Sequence, residues 1–440
     1  NTGAISIGNV GLNGECQATG LAGYVMGVAG ETNSLITNCT NSGPISVTAS
    51  NASTAQSARL YVGGLIYRVD GIDVSFCNNE TTGTITLKTG NWNSGHFPGG
   101  LIAYLGAAAD IETFKITDCE NKANIWAEAI TDCAAAYGEI GGAFGEAYYG
   151  SGDFKIEFLR VKNSGDVTVK GNYSTKNKLY VGGFFGTTNF TCLDFNDCHN
   201  SGDVLFEATS QSPCVGGFIG YCTTNTEFKA VSCTNSGDVN YNAIALTPDS
   251  GVAAVRCGGF IGYRGTGVTS LIKSCINTGK ITLKEGQTAS ISGIPYCLGG
   301  FIGHNAGNKL TMEDCTNGEL NDTTGKGKVY AGNLCKAGVS MGGIIGLCNH
   351  NITLTRCKNY ATIEQTGNSS WGGNDYRAHL AGILGSTLKG TALTVNITDC
   401  ENYGAITYGP TAQLGRVDMG GIMGTSQGAA TTTLTGCKNG

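Results

Sequence analysis

The sequence predicts an all-β protein that folds as a parallel β-solenoid of about eleven repeats, each 34–43 residues long. Three observations support this prediction. Two short phrases alternate along the whole chain, the residues between them alternate in polarity with a period of two, and glycine makes up 70 of the 440 residues. Such repeats indicate stacked units that each contact only their neighbours. We therefore expect residues 1–440 to form one continuous β-helix.

The first phrase is Gly-Gly, two apolar residues and usually a further Gly, as in GGFIG from Gly216. Near-copies occur eleven times, and their second glycines lie 34 to 43 residues apart. Two adjacent apolar residues on a strand point to opposite faces, so this strand is expected to be apolar on both faces. Either the coil folds around itself and buries the strand centrally, or one face is an exposed stripe for lateral association.

The second phrase is Cys-x-Asn, usually followed by Gly and then by Ile or Val, and its asparagine is present in all eleven copies. Stacked coils place equivalent residues about 4.8 Å apart. An Asn amide both donates and accepts hydrogen bonds, so a column of Asn is compatible with itself. The predicted structural asparagine ladder consists of Asn41, Asn79, Asn121, Asn163, Asn200, Asn235, Asn277, Asn317, Asn359, Asn402 and Asn439.

The cysteine of the same phrase predicts a second column. Val161 occupies this slot in the fourth copy, so the slot is expected to be a small, buried apolar position with reduced thiols. Stacked neighbours fit the Cβ spacing of a disulfide badly, and a one-dimensional stack lacks the tetrahedral ligand cluster of a structural metal site. The predicted cysteine ladder consists of Cys39, Cys77, Cys119, Cys198, Cys233, Cys275, Cys315, Cys357, Cys400 and Cys437.

Nine further cysteines lie outside this column, where irregular turns leave room for disulfides. Cys192 and Cys222 lie on consecutive coils and form one candidate pair. A second pair is expected from Cys214, Cys257 and Cys297. Such bridges would indicate an oxidising compartment.

Signals for catalysis are weak, and an enzyme is not expected. Residues 424–428 match G-x-S-x-G, but the Asp and His that this motif needs do not follow it. The best acidic set is Asp166, Asp203 and Asp238, at one slot of three consecutive coils. These carboxylates are expected to face solvent and to accept hydrogen bonds from backbone N–H groups. The alternative is a weak Ca²⁺ site of a Ca-dependent, polysaccharide lyase-like enzyme. No other metal or cofactor is expected.

The composition excludes several partners. The net charge of −6 argues against nucleic acid, and no apolar run reaches the length of a membrane-spanning helix. The sequon N-x-[ST] occurs about as often as chance predicts. The glycosylation candidates are Asn51, Asn172, Asn189, Asn321, Asn351, Asn368 and Asn396.

The chain begins and ends at nearly the same phase of the repeat, with Asn1-Thr-Gly-Ala-Ile5 and Cys437-Lys-Asn-Gly440. Neither end shows a capping segment, and uncapped solenoids expose strand edges that invite strand addition. The chain is therefore expected to be an excerpt of a longer array or one subunit of a head-to-tail filament.

The combination of GGFIG with C-x-N-S-G-D-V resembles the GLUG-type, Gly-rich Cys-x-Asn-x-Gly repeats of bacterial cell-surface and secreted proteins. The resemblance covers all eleven copies, although many members of that family lack the cysteine column. It implies an extracellular β-solenoid adhesin or surface fibre without catalytic residues.

The expected function is that of a structural or adhesive repeat protein at the cell surface, forming a rigid rod or filament. Its expected partners are further copies of the chain, associated head to tail or laterally, together with glycans or host and cell surfaces. The alternative is a carbohydrate-active enzyme or glycan-binding module with a site near Asp166, Asp203 and Asp238.

Overall fold

The computed structural model describes residues 1–8, 15–27, 35–50, 59–90, 95–108, 111–131, 133, 137–148, 154–173, 178–210, 212–223, 227–242, 255–265, 269–284, 296–332, 338–366, 377–387, 393–409, 416–427 and 431–440. Within these residues the chain forms strands and no helix. No helix in this part of the chain is therefore long and apolar enough to cross a membrane.

The chain winds into eleven rungs, and each rung adds one strand to each of five parallel, eleven-stranded sheets. We call the sheets A to E, in the order in which the chain visits them within a rung. Every strand pairs in register with the equivalent strand of the next rung, as Val204 pairs with Val239 and Asn200 with Asn235. The predicted parallel β-solenoid is confirmed.

Sheet A contains Ile5–Ile7, Ile45–Ser50, Ile85–Gly90, Ile125–Ala129, Val167–Asn172, Val204–Thr209, Val239–Tyr241, Ile281–Leu283, Val329–Ala331, Ile363–Gln365 and Ile406–Tyr408. Sheet B contains Cys16–Thr19, Leu60–Gly63, His96–Gly99, Gly138–Gly141, Leu179–Gly182, Cys214–Gly216, Arg256–Gly258, Tyr296–Gly299, Val339–Gly342, Arg377–Ala381 and Arg416–Gly420. Sheet C contains Ala22–Met26, Ile66–Asp70, Ile102–Gly106, Phe144–Tyr148, Phe185–Asn189, Ile219–Cys222, Ile261–Arg264, Ile302–Asn305, Ile345–Cys348, Leu384–Thr387 and Met423–Thr425.

Sheet D contains Leu35–Thr37, Asp73–Ser75, Thr113–Thr117, Lys155–Leu159, Cys192–Asn196, Glu227–Val231, Thr269–Lys273, Leu310–Glu313, Ile352–Thr355, Thr394–Thr398 and Thr431–Thr435. Sheet E contains Thr40–Asn41, Asn78–Asn79, Glu120–Asn121, Lys162–Asn163, His199–Asn200, Thr234–Asn235, Ile276–Asn277, Thr316–Asn317, Lys358–Asn359, Glu401–Asn402 and Lys438–Asn439.

Each rung is a single large coil that encloses two hydrophobic cores. One core lies between sheets A and B, where residues such as Val204 and Val215 pack together. The other lies between sheets C and D and includes Ile219, Phe228 and the cysteine column. Sheets B and C therefore lie back to back in the centre of the molecule.

The two central sheets approach so closely that glycine is required between them. A Cβ on Gly145 of sheet C would lie 3.1 Å from the carbonyl oxygen of Pro98 in sheet B, and one on Gly220 would lie 2.5 Å from the backbone nitrogen of Val181 in sheet B. The last glycine of the GGFIG phrase therefore marks the backbone contact between sheets B and C. We call this contact region the B–C seam. Of the two alternatives left open by the sequence, the structure adopts central burial of the Gly-Gly phrase.

The two apolar residues of the phrase, however, do not lie on opposite faces of a strand. Phe218 lies in the turn after Gly217, whereas Ile219 begins the strand of sheet C, and both side chains enter the same core. The turn rotates the backbone and cancels the alternation expected of a strand. The Phe184, Phe218, Phe260 and Phe301 rings stack on consecutive rungs with centroids 4.5 to 5.3 Å apart.

Candidate functional site

The asparagine column forms one continuous hydrogen-bonded ladder. Each Asn donates from Nδ2 to Oδ1 of the Asn on the next rung at 2.8 to 3.0 Å. Asn1 extends the ladder by donating to Asn41. The second N–H bonds a local carbonyl, as Asn235 does to Gly237 at 2.9 Å. The ladder thus satisfies buried amides by bonds between identical residues.

The two sequence phrases meet at this ladder. A Cβ on Gly217 would lie 2.3 Å from the Gly259 carbonyl oxygen and 2.4 Å from Nδ2 of Asn235. The Gly-Gly turn between sheets B and C therefore packs directly on the asparagine of the same rung. This contact links the centre of the coil to sheet E and explains why the two phrases occur together.

The cysteine column is apolar and its thiols are free. Its inner members are buried in the C–D core, with Val161 in the same environment, and Cys39 and Cys437 on the end rungs are half-buried. Each thiol bonds backbone carbonyls, as Cys275 does to Lys273 at 3.3 Å and to Ala230 at 3.5 Å. A slot with these properties accepts Cys or Val, as expected from the sequence.

The structure does not bring the disulfide candidates together, and none of the five is disulfide-bonded within the described residues. Cys192 aligns with Glu227 in sheet D, whereas Cys222 aligns with Thr188 in sheet C.

Cys214 and Cys297 share one column of sheet B, but Arg256 separates them. Cys257 is displaced from that column by one residue, which turns its side chain into the A–B core. The sequence spacing relative to Gly-Gly missed this change of face, because alternate strand residues point to opposite sides.

The acidic column binds backbone amides. Asp166 accepts the N–H of Asp203 at 2.9 Å, and Asp203 accepts the N–H of Asp238 at 2.7 Å. Asp238 accepts the N–H of Lys280 at 2.8 Å. Partial burial raises the pKa of Asp203, and the neighbouring carboxylates add to this rise. Within the described ranges no group of three or more His, Cys, Asp or Glu is placed to hold a metal ion.

The sequons occupy varied positions. Asn172, Asn321 and Asn351 are exposed, whereas Asn189, at the end of its strand, and Asn396, in the middle of its strand, are half-buried. Asn51 and Asn368 lie outside the described residues.

A third column escaped the sequence reasoning. The residue before each ladder cysteine, or before Val161, adopts a left-handed backbone conformation, with φ of 52 to 54° at the ten non-glycine positions. These residues are Asn38, Phe76, Asp118, Arg160, Asp197, Ser232, Ser274, Asp314, Arg356 and Asp399, followed by Gly436. The enrichment in Asn, Asp and Gly was the available signal, since these residues tolerate this conformation.

This left-handed column carries two surface runs of Asp, Arg and Asp on consecutive rungs, Asp118–Arg160–Asp197 and Asp314–Arg356–Asp399, which we call the charged ridge. Arg160 binds Asp118 through two hydrogen bonds of 2.7 Å, and Arg356 binds Asp314 in the same way at 2.6 and 2.9 Å. Grooves of about 300 and 530 Å³ lie beside these pairs. Both grooves are open surface features that could contact extended partners.

A polar column in the B–C seam was also missed, because no repeated residue type marks it. On consecutive rungs of sheet B it holds Tyr61, Phe97, Glu139, Tyr180, Cys214, Arg256, Cys297, Ser340, His379 and Asp418. Sheet C contributes residues such as Glu146 and His304 opposite them. Ionisable side chains are therefore buried at the centre of the rod.

Comparison with known proteins adds no functional assignment. No family model matches the chain, and neither does any curated protein or solved structure. The functional argument rests on the chain's own sequence and geometry.

Proposed function

We propose that this protein is a structural or adhesive repeat protein that acts outside the cell as a rigid rod or filament. The observation that carries the proposal is the uninterrupted asparagine ladder, which runs through all eleven rungs alongside five sheets in perfect register. Every rung adds the same set of axial hydrogen bonds. Such a stack resists bending and stretching over its whole length, as a spacer or fibre requires.

The outer surface supports a role in contact with partners. Lysines and carboxylates alternate between rungs on sheet D, where Lys155 and Lys229 both bind Asp194 at 3.3 and 3.1 Å. The charged ridge presents the Asp118–Arg160 and Asp314–Arg356 pairs in the same orientation, several rungs apart. A polyvalent partner, such as a glycan or another copy of the rod, could contact these repeated surfaces simultaneously.

Head-to-tail association of copies is part of the proposal, and electron microscopy of the purified chain distinguishes filaments from single rods.

The decisive test is the deletion of one complete rung, residues 204–238, which joins Asp203 to Val239. The shortened chain should fold, with a thermal midpoint within a few degrees of the parent, because the remaining rungs keep the same neighbours. The control deletes only three of the five strands of a rung, residues 204–222, so that a sheet E strand is followed directly by a sheet D strand, and it should not fold. A shortened in-phase chain that is unfolded would contradict the proposed rod.

A further inference from the structure

Most polar side chains of the B–C seam have partners on a neighbouring rung. Arg256 donates from Nε to Nδ1 of His304 at 3.3 Å. The Ser340 hydroxyl bonds Ser386 at 2.6 Å. The seam is thus aromatic at its second and third rungs, where Tyr61, Tyr67 and Phe97 pack together, and polar with matched groups from the seventh rung to the tenth.

The fourth rung departs from this pattern. It places Glu139 of sheet B and Glu146 of sheet C in the seam, with 9% and 8% of their surfaces exposed. Neither carboxylate forms an ion pair with a residue that the structure describes. In each of them Oε2 is buried without a hydrogen-bond partner among those residues.

Thr187 adds a third oxygen from the fifth rung. It follows Glu146 in the register of sheet C and faces Glu139 across the seam. Its side chain is 5% exposed, and its hydroxyl oxygen also lacks a hydrogen bond of normal geometry within the described residues. Oxygens of Glu139, Glu146 and Thr187, from two sheets and two rungs, therefore lie in one buried region of the seam, with the Thr187 hydroxyl close to the Glu139 carboxylate.

The nearby arginines offset the charge of the two carboxylates only in part. Arg68 is bound to Asp70 at 2.7 Å, and Arg59 donates to the Tyr61 hydroxyl at 3.2 Å. Burial raises the pKa of Glu146 to about 7, and burial together with the charge of Glu146 raises the pKa of Glu139. Ionising both buried carboxyl groups is unfavourable while their counter-charge is incomplete, so a bound cation would stabilise the ionised pair.

We infer that Glu139, Glu146 and Thr187 form a binding site for a hard divalent cation, with Ca²⁺ as the best match. The donors are all oxygens, which favours Ca²⁺ or Mg²⁺ over the metals that prefer nitrogen and sulfur. Ca²⁺ tolerates irregular geometry and completes its shell with water and carbonyl oxygens. The site is distinct from the Asp166 column and does not depend on the proposed function.

The test is calorimetric titration of Ca²⁺ into the full 440-residue chain after removal of metals with a chelator, at pH 8. We expect saturable binding in the roughly 0.1 to 1 mM range or tighter. Terbium is a second probe, because Tyr104 and Tyr180 adjoin the two glutamates in register and should sensitise its luminescence.

The variant E139Q/E146Q should weaken Ca²⁺ binding by about tenfold or more, because both charged ligands are lost. It should also fold at least as stably as the parent in chelator, since two uncompensated buried charges are removed. The matched control is D203N, which removes a carboxylate of the other acidic column and should leave binding unchanged.

Three results would overturn the inference. The first is the absence of any Ca²⁺ signal in the parent chain at pH 8. The second is undiminished binding in E139Q/E146Q, and the third is equal loss in D203N. A parent chain that ignores Ca²⁺, but whose stability changes with pH through these two glutamates, would show that the pair holds a proton instead.

Discussion

The asparagine and cysteine columns are two residues apart in every rung, yet they obey different rules. Both columns are buried and stacked in register, with Asn235 beside Cys233 as an example. Each Asn bonds the next Asn, so any other residue breaks bonds on two neighbouring rungs. The thiols bond main-chain carbonyls, as Cys233 does to Val231, and Val161 replaces one thiol without interrupting the stack. A position therefore requires one residue type when its side chain hydrogen-bonds to identical side chains on the neighbouring rungs.

The largest expected effect comes from filling the space on which the asparagine packs. Gly217→Ala places a Cβ 2.3 Å from the Gly259 carbonyl oxygen and 2.4 Å from Nδ2 of Asn235. We expect a loss of about 4 kcal/mol or more in the free energy of unfolding, because backbone and ladder must both shift. Chemical denaturation measures it. Gly409→Ala is the control, since nothing lies within 4 Å of its Cβ.

Removing one member of the ladder should have the next largest effect. In Asn235→Ala, the Nδ2 of Asn200 and the Oδ1 of Asn277 both lose a buried partner. Each unsatisfied group costs about 1 to 3 kcal/mol, so we expect a total of about 3 kcal/mol. Hydrogen exchange should show the loss concentrated on the adjacent rungs. A cost no larger than that of a cysteine substitution would remove the distinction between the columns.

A pH titration sharpens the comparison, because the ladder amides carry no titratable group and should not respond between pH 8 and 5. His304 in the seam is different. Burial and the neighbouring Arg256 lower its pKa to about 3, so it stays neutral in the folded chain. The unfolded imidazole binds a proton below its ordinary pKa of about 6.5, and stability therefore falls as the pH falls.

His304→Asn should abolish the part of the loss in the free energy of unfolding that is due to His304, which is about 2 kcal/mol between pH 8 and pH 5. The amide oxygen of Asn can still accept from Arg256 and does not titrate. Denaturation curves of parent and variant at both pH values give the difference directly. Parallel pH profiles for the two proteins would contradict the assignment of the acid loss to His304.

The smallest effect is expected in the cysteine column. Cys233→Val repeats the natural replacement at Val161 and removes one thiol hydrogen bond of 3.3 Å to the Val231 carbonyl. We expect a change below about 1 kcal/mol in the free energy of unfolding. The reciprocal variant, Val161→Cys, should behave alike and leave the native chain unreactive toward thiol reagents at this position. A loss as large as that of Asn235→Ala would show that the thiols specify the stack.

The sequence was sufficient for the ladders because they are one-dimensional. A repeat that recurs eleven times reveals which residues stack, and the chemistry of Asn reveals why they do. The sequence did not reveal which of the other cysteines lie close together, because a shift of one residue along the strand turns Cys257 away from Cys214 and Cys297. It also missed the left-handed column, whose members vary from Asp118 to Phe76.

The sequence by itself therefore determined the repeat, the parallel stacking and the residues of both ladders, since these follow from identical residues placed at the strand spacing. Only the tertiary structure decided how each coil closes. The Gly-Gly turn packs on the asparagine, sheets B and C meet back to back, and two cores form instead of one. The proximity of Glu139 and Glu146 was also decided by the tertiary structure, because contacts across the B–C seam depend on the path of the coil and not on the period of the repeat.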